Sequence, residues 1–578
     1  MAHRLATLLV VGILVATLAA GLVVGARWTD PGERADLVVL NGRVYAPGGT
    51  AASPEAVAVR ANRILEVGTT GEIKRMVGDG TVVIDADGGS VLPGFNDAHM
   101  HLLSGGLGLQ QVDLLDAVTL EQINQTIRTY AAAHPEKPWV LGRGWYYTPF
   151  PGGLPTRQQL DALVPDRPSY MRCYDGHTAW ANSKALALAG ITRSTPDPKG
   201  GIIVRDPETG EPTGALKEAA QDLMDNVLPK PSRQDKLQAI RAAVARLHRF
   251  GITSVQNADG DAEDIALFDE VRRAGDLKLR VYMAMSVDSP FTEADADRLD
   301  RIRAKFGDDP VLRTGAAKLF IDGVIEAHTA VMLAPYANRP TKGEPLFPTG
   351  EFDRIVALLD RRGWQVMTHA IGDGGVRMAL DAYERAAKVN PAPPRGRRHR
   401  LEHIETIDPA DVPRFGRLGV IAVQQPFHGN PSGNQLDVWI ANIGVERASR
   451  GWAQRSISAA GGRLAMGSDW PVVSPDPRLE LNMAVNRTTP EGTPPGGWLP
   501  EQKIPLADAI DAYTSGSAYA SFDETRKGRI APGMLADMVV MSKDLFALQP
   551  ARLLDAAVRV TIFDGKVVFT AASPPHLP

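Results

Sequence analysis

The middle of this 578-residue chain alternates two textures, and that alternation constrains the fold more than any other feature. Amphipathic stretches such as "RQDKLQAIRAAVARLHRFG" and "EFDRIVALLDRRG" end at glycine, and each is followed by a short apolar run, "ITSVQ" or "QVMTHA". Further runs of the same kind are "RVYMAM", "AAKLFI", "HRLEHIE", "IAVQQP" and "GRLAMGSDW". Strands alternating with helices of this length form βαβ units around a parallel sheet. About eight such strands in one region predict a (β/α)8 barrel. The stretch from about 144 to 231 is longer than a barrel loop needs. Its turn-rich text ("STPDPKGG", "RDPETGEPTG") predicts an inserted subdomain covering the barrel mouth.

The flanks differ from the middle. "ADLVVLNGRVYAPGG", "AVAVRANRILEVGT" and "TVVIDADGGSVLPGF" are β-branched runs split by Asn-Gly and Gly-Gly turns. The texture returns in "GRIAPGMLADMVVMS" and in "VTIFDGKVVF", which reads as strand, Asp-Gly turn, strand. Two β-rich ends predict one small β-sandwich, its parts spanning 35–93 and 521–570, around a barrel domain at 94–520. Ahead of these, residues 1–30 carry an uncharged apolar run from Leu5 to Ala26. Its length suits a membrane-crossing helix. The N-terminal apolar helix is therefore expected to be either a signal peptide cut near "VGA" or an uncleaved membrane anchor, and both predict an exported body.

A net charge of -4 and a pI near 6.3 give no sign of a nucleic-acid partner. A single cysteine, Cys173, excludes an internal disulfide framework and any thiolate-rich zinc site. A metal site would therefore be built from His, Asp, Glu or a modified side chain.

"GFNDAHMHL" places His99 and His101 at i and i+2, on one face of a strand whose end would open into the barrel mouth. His369 in "QVMTHAIGD", His403 in "HRLEHIE" and Asp469 in "RLAMGSDWP" each sit at the end of a separate strand candidate. Neutral imidazole and carboxylate suit zinc and similar divalent ions. Lys318 stands among apolar residues in "GAAKLFIDG". Burying an ammonium ion is costly. Either it is paired with Asp322 or Glu326, or the neutral amine reacts with carbon dioxide to give an anionic carbamate.

"PGFNDAHMH", "DGHTAWANSKAL", "KLFIDG", "HAIGD", "EHIE" and "GSDWP" together resemble the amidohydrolase superfamily, in its amidohydrolase 3 branch of YtcJ-like proteins. The resemblance covers about 35 to 569. It implies a distorted TIM barrel with a β-sandwich from both chain ends, and one or two divalent ions, zinc first. It implies His99, His101 and Asp469 as ligands of one ion, and His369 and His403 as ligands of a second. Lys318, N-carboxylated, would bridge them, and Asp469 would also shuttle the proton. His177 in "YDGHTAW" is expected to contact the substrate, with Asp322 and Trp470 beside it. "DGVIEAHTA" departs from the glycine- and serine-rich text common in that branch, so a relative's substrate does not transfer. The implied activity is hydrolysis of a non-peptide C–N bond in a small molecule. The same site could serve an esterase, lactonase or deacetylase, or persist in an inactive exported binding protein.

Overall fold

The computed structural model describes residues 34–46, 54–115, 117–174, 176, 178–198 and 201–571. The apolar leader at 1–30 lies outside these, and no helix among the described residues is long and apolar enough to cross a membrane.

Eight strands form one parallel sheet: β1 (Phe95–Met100), β2 (Ile252–Asn257), β3 (Arg280–Ser286), β4 (Leu312–Phe320), β5 (Gln365–Ala370), β6 (Arg400–His403), β7 (Ile421–Gln424) and β8 (Arg463–Met466). Neighbours in sequence are neighbours in space, each paired parallel from β1 round to β8. The seam between β8 and β1 is drawn together just beyond the strand end. Asp469 N donates to His99 O at 2.7 Å, and His101 N donates to Trp470 O at 2.8 Å. Gly467 makes this approach possible, because a Cβ there would meet His99 N at 2.4 Å. The architecture is a nearly closed, distorted TIM barrel.

Helices cover the outside for the reason their sequences give. In Arg233–His248, Leu237, Ile240, Val244 and Leu247 recur at three- and four-residue spacing and are buried. Ser232 and Asp235 form a reciprocal capping box at its start. The strands they cover are buried on both faces, β1, β2 and β5 throughout, as a sheet wrapped by helices requires.

The two chain ends make the sandwich. One sheet orders Arg63–Gly68, Ala56–Arg60, Leu37–Leu40 and Val82–Asp85. The other runs Arg43–Val44, Ser90–Pro93, Met538–Met541, Val558–Phe563 and Lys566–Thr570, so N- and C-terminal strands share hydrogen bonds. Leu37, Val57, Val91, Met538, Val540 and Ile562 pack in one apolar cluster between them. Arg280 on β3 ties this unit to the barrel through Asp537, at 2.6 Å, with both side chains buried.

Between β1 and β2 the chain builds a six-stranded sheet, ordered Gly201–Arg205, Pro212–Glu218, Thr178–Ala181, Ser169–Cys173, Val140–Trp145 and Val112–Asp113. This sheet begins upstream of the expected boundary near 144: Val112–Asp113 precedes it and Val140–Trp145 runs across it. Val140–Trp145 carries its own apolar alternation and pairs parallel with Ser169–Cys173.

Candidate metal centre

Asp469 follows β8 and stands amid four imidazoles. His99 Nε2 is 3.5 Å and His101 Nε2 3.2 Å from its Oδ1; His403 Nδ1 is 3.9 Å and His428 Nε2 3.8 Å from its Oδ2. These come from the C-terminal ends of β1, β6, β7 and β8, the rim where barrel loops converge. Two overlapping donor triads result, His99–His101–Asp469 and His403–His428–Asp469. Asp469 (φ 58°) and His403 (φ 73°) both hold left-handed backbone. Such conformations cost roughly 1–3 kcal/mol and persist where the surroundings enforce them.

The imidazoles are oriented from behind. His99 Nδ1 donates to Glu402 Oε2 at 2.5 Å, His101 Nδ1 to Asp259 Oδ1 at 2.7 Å, and His403 Nδ1 to Gln425 Oε1 at 2.9 Å. With Nδ1 carrying the proton, the Nε2 lone pair of His99 is free to bind a cation, while at His101 a cation would displace the second proton from Nε2. Arg400 grips Glu402 from the other side, Nε to Oε1 at 2.6 Å and an Nη to Oε2 at 2.9 Å, in a pair with no solvent access.

Burial dominates the electrostatics. It drives His99 and His403 well below the ordinary imidazole value, and His369 down to about 3, in each case with neighbouring cationic groups adding to the effect. His101 is half-buried, and the carboxylates of Asp259 and Asp469 outweigh its desolvation and lift it to about 9. Burial alone would raise Asp469, yet the surrounding imidazoles, His99 first, hold it well below the carboxylate range.

These residues suit a divalent cation on grounds internal to the structure. His99 Nε2, His428 Nε2, Asp469 Oδ1 and Lys318 Nζ are buried without a hydrogen-bond partner. Unsatisfied buried polar atoms are rare in native proteins. Imidazole nitrogens and a carboxylate oxygen converging this way are ligands for zinc-like ions.

A cavity of about 210 Å³ opens on this centre, its walls including His101, Lys318, His369, His403, His428 and Asp469. Lys318 is buried, its Nζ 4.1 Å from the Phe320 ring centroid, and desolvation lowers its pKa. His369 lies on the far side of His403, ring centroids 4.5 Å apart, with Nε2 3.3 Å from Gly323 O.

Two residues expected beside the substrate are placed elsewhere. The Asp322 carboxylate accepts from three backbone amides, Val331 N at 2.9 Å, Ile371 N at 3.1 Å and Gly372 N at 3.0 Å. It binds the loop after β4 to the loop after β5 and is not in the cavity wall. Burial raises its pKa to about 7 against the pull of those amides. The Trp470 ring packs over Gly105, where a Cβ would come within 2.3 Å of it, and is likewise absent from the wall. His177 lies outside the described residues.

His428, Asp259 and Glu402 were not singled out from the sequence. His428 and Asp259 carried the signal that marked the others, a polar side chain just after an apolar strand, in "IAVQQPFH" and "ITSVQNAD". Glu402 gave a weaker one, a carboxylate inside the buried strand β6.

The eight-stranded barrel and the rim of imidazoles around one carboxylate define the class: a metal-dependent hydrolase. Residues 82–569 match the amidohydrolase family, and the chain belongs to it. It is 31% identical to the Bacillus subtilis (strain 168) protein YtcJ, which is named as an amidohydrolase, over 89% of this chain and 96% of that one. It is 27% identical to the N-substituted formamide deformylase of Arthrobacter pascens over 92% of this chain and 97% of that one. The crystal structure of an uncharacterized metal-dependent hydrolase from Pyrococcus furiosus superposes with a TM-score of 0.66 at 25% identity. That match covers 86% of this chain and 97% of the other.

Proposed function

We propose that this protein hydrolyses a non-peptide, amide-type C–N bond in a small molecule. One observation carries the reading: one buried carboxylate, Asp469, lies within 4 Å of four imidazoles on the wall of a cavity. His99, His101 and Asp469 would hold one divalent ion, zinc by donor type. His403, His428 and Asp469 are placed to hold a second, with His369 nearby. Bound there, a divalent ion supplies Lewis-acid polarisation of a carbonyl and a water acidic enough to ionise near neutral pH.

The remaining work falls to the chain. Asp469 holds a proton taken from water at a carboxylate oxygen and delivers it to the departing nitrogen. An amine leaves poorly unless protonated, and a positioned proton carrier is worth roughly 10²–10⁴ in rate. Its ionised state in the resting site suits it to accept first. Glu402, Asp259 and Gln425 fix the imidazole tautomers. Lys318, desolvated and unpartnered, is poised to add to carbon dioxide: its nitrogen bonds to carbon, a proton is released, and the carbamate gains an anionic oxygen pair. The cavity admits a compact acyl group, and the relative from Arthrobacter pascens, named for deformylation of N-substituted formamides, supports a small acyl portion. The apolar leader supports export of the body, by cleavage or by anchoring.

The test is a screen of the zinc-loaded protein against N-substituted formamides, longer N-acyl amines, cyclic amides and simple esters. Turnover of at least one amide, abolished by chelation, is expected. Turnover of esters alone, or none from protein that retains bound metal, would overturn the proposal.

A further inference from the structure

A second chamber lies behind the insert, outside the cavity of the metal centre. It occupies about 380 Å³ between the helix Leu102–Gly108, which follows β1, and the face of the insert sheet formed by Val140–Trp145 and Ser169–Cys173. Leu228, Pro229 and Pro231 add to its wall. Two guanidiniums, Arg143 and Arg172, and the phenol of Tyr170 stand in its wall, and among the described residues no carboxylate does. The Tyr170 side chain is 3% exposed, and its hydroxyl has no hydrogen-bond partner. Arg143 Nε is likewise buried without a partner.

The buried Arg143 Nε and Tyr170 hydroxyl face one hollow, while Arg172 at its edge is exposed to solvent; buried polar atoms without partners are rare, and a group of opposite charge would complete them. Asp113 and Asp469 lie within electrostatic reach of Arg143 but not in the wall. Guanidinium presents paired donors that match a carboxylate, and a phenol hydroxyl adds a third. Leu107, Leu141, Leu228 and Pro229 give the wall an apolar side, and Ser104 and Gln111 are further uncharged polar members. Leu107, Leu141 and Pro229 also line an adjoining hollow of about 280 Å³, where Tyr130 and Trp139 join them.

We propose that this chamber is a binding site for a small organic carboxylate with an apolar tail, its head on Arg143, Arg172 and Tyr170 and its tail along Leu107 and Leu141 toward Trp139. The site is separate from the metal centre. Yet its wall and the metal cavity share one strand end: Cys173 lines the chamber and Tyr174 lines the cavity. A ligand there presses on the back of a segment whose front faces the reaction.

Octanoate is the probe, titrated calorimetrically into the full chain, metal-free and zinc-loaded, with inorganic phosphate and octanol as comparisons. One equivalent of octanoate is expected to bind in both forms. Affinity should fall at least tenfold in Arg143→Gln/Arg172→Gln and severalfold in Tyr170→Phe. Tyr170→Phe removes an unpartnered hydroxyl, so its ligand-free melting temperature should be unchanged or higher, which separates lost binding from lost folding. Binding that vanishes on chelation and ignores all three substitutions would assign octanoate to the metal centre and overturn the proposal. So would phosphate or octanol binding as tightly as octanoate, or no octanoate binding at all. Because the metal-free protein is used, none of these results depends on the hydrolytic reaction.

Discussion

Glu402→Gln tests the support of the metal centre most directly. The substitution keeps volume and removes one charge. In the parent protein the carboxylate receives His99 Nδ1 at 2.5 Å and two Arg400 donors at 2.6 and 2.9 Å, all without solvent access. A carboxamide turns one N–H₂ toward a donor, either His99 or Arg400, and leaves the Arg400 cation with only neutral acceptors, Gln256 Oε1 and Ala98 O. Breaking a buried ion pair in this way costs about 3–5 kcal/mol of stability. The second effect is local. Removing a carboxylate behind a ligating imidazole typically weakens metal binding about 10–100-fold, or roughly 1.4–2.7 kcal/mol. The two effects separate in Arg400→Met/Glu402→Gln, which removes the stranded cation. This double variant should regain much of the stability of the metal-free protein and none of the metal affinity. Denaturant unfolding in chelator reads the first quantity, and competition with a chromophoric chelator the second. Zinc affinity within twofold of the parent in a folded single variant would refute the claim that Glu402 acts through His99.

Other substitutions probe separate parts of the argument. Asp469→Asn removes the proton carrier and should lower kcat about 10²–10⁴-fold while retaining bound metal by elemental analysis; an unchanged kcat would remove Asp469 from the chemistry. Lys318→Ala should reduce bound metal from about two ions per chain toward one if the carbamate bridges two sites, and dissolved bicarbonate should then no longer affect activity. Asp537→Ala/Asp564→Ala removes both carboxylates from the buried Arg280 guanidinium where sandwich meets barrel; a loss of about 3–5 kcal/mol by denaturant unfolding is expected. Asp322→Ala leaves three amides of the two loops unpaired, each worth about 1–3 kcal/mol if left buried. Its melting temperature should fall, and the Michaelis constant should change less than for variants of the cavity wall.

How much of this was legible in the sequence depends on which physical signal carried it. The barrel was legible because parallel strands buried on both faces must be continuously apolar and the helices between them must be amphipathic, and "QVMTHA" after "EFDRIVALLDRRG" obeys both rules. The rim residues were legible for a related reason: a polar side chain ending an apolar strand emerges at the mouth, and His99, His101, His403 and Asp469 do so. Direction was not legible. Asp322 also follows an apolar strand, yet its carboxylate turns sideways into three backbone amides, because the loops after β4 and β5 expose donors that nothing else satisfies. Trp470 follows the most informative carboxylate in the chain, yet its ring lies on Gly105, where a side chain would collide with it. Both cases turn on contacts between segments far apart in sequence, and no local pattern encodes them. The same holds for Glu402: only when the barrel closes and brings β6 to face β1 across its interior does an interior strand carboxylate become the group that orients His99. Strand-end chemistry can therefore nominate the ligands of such a centre, while their supports follow from the order of strands around the barrel.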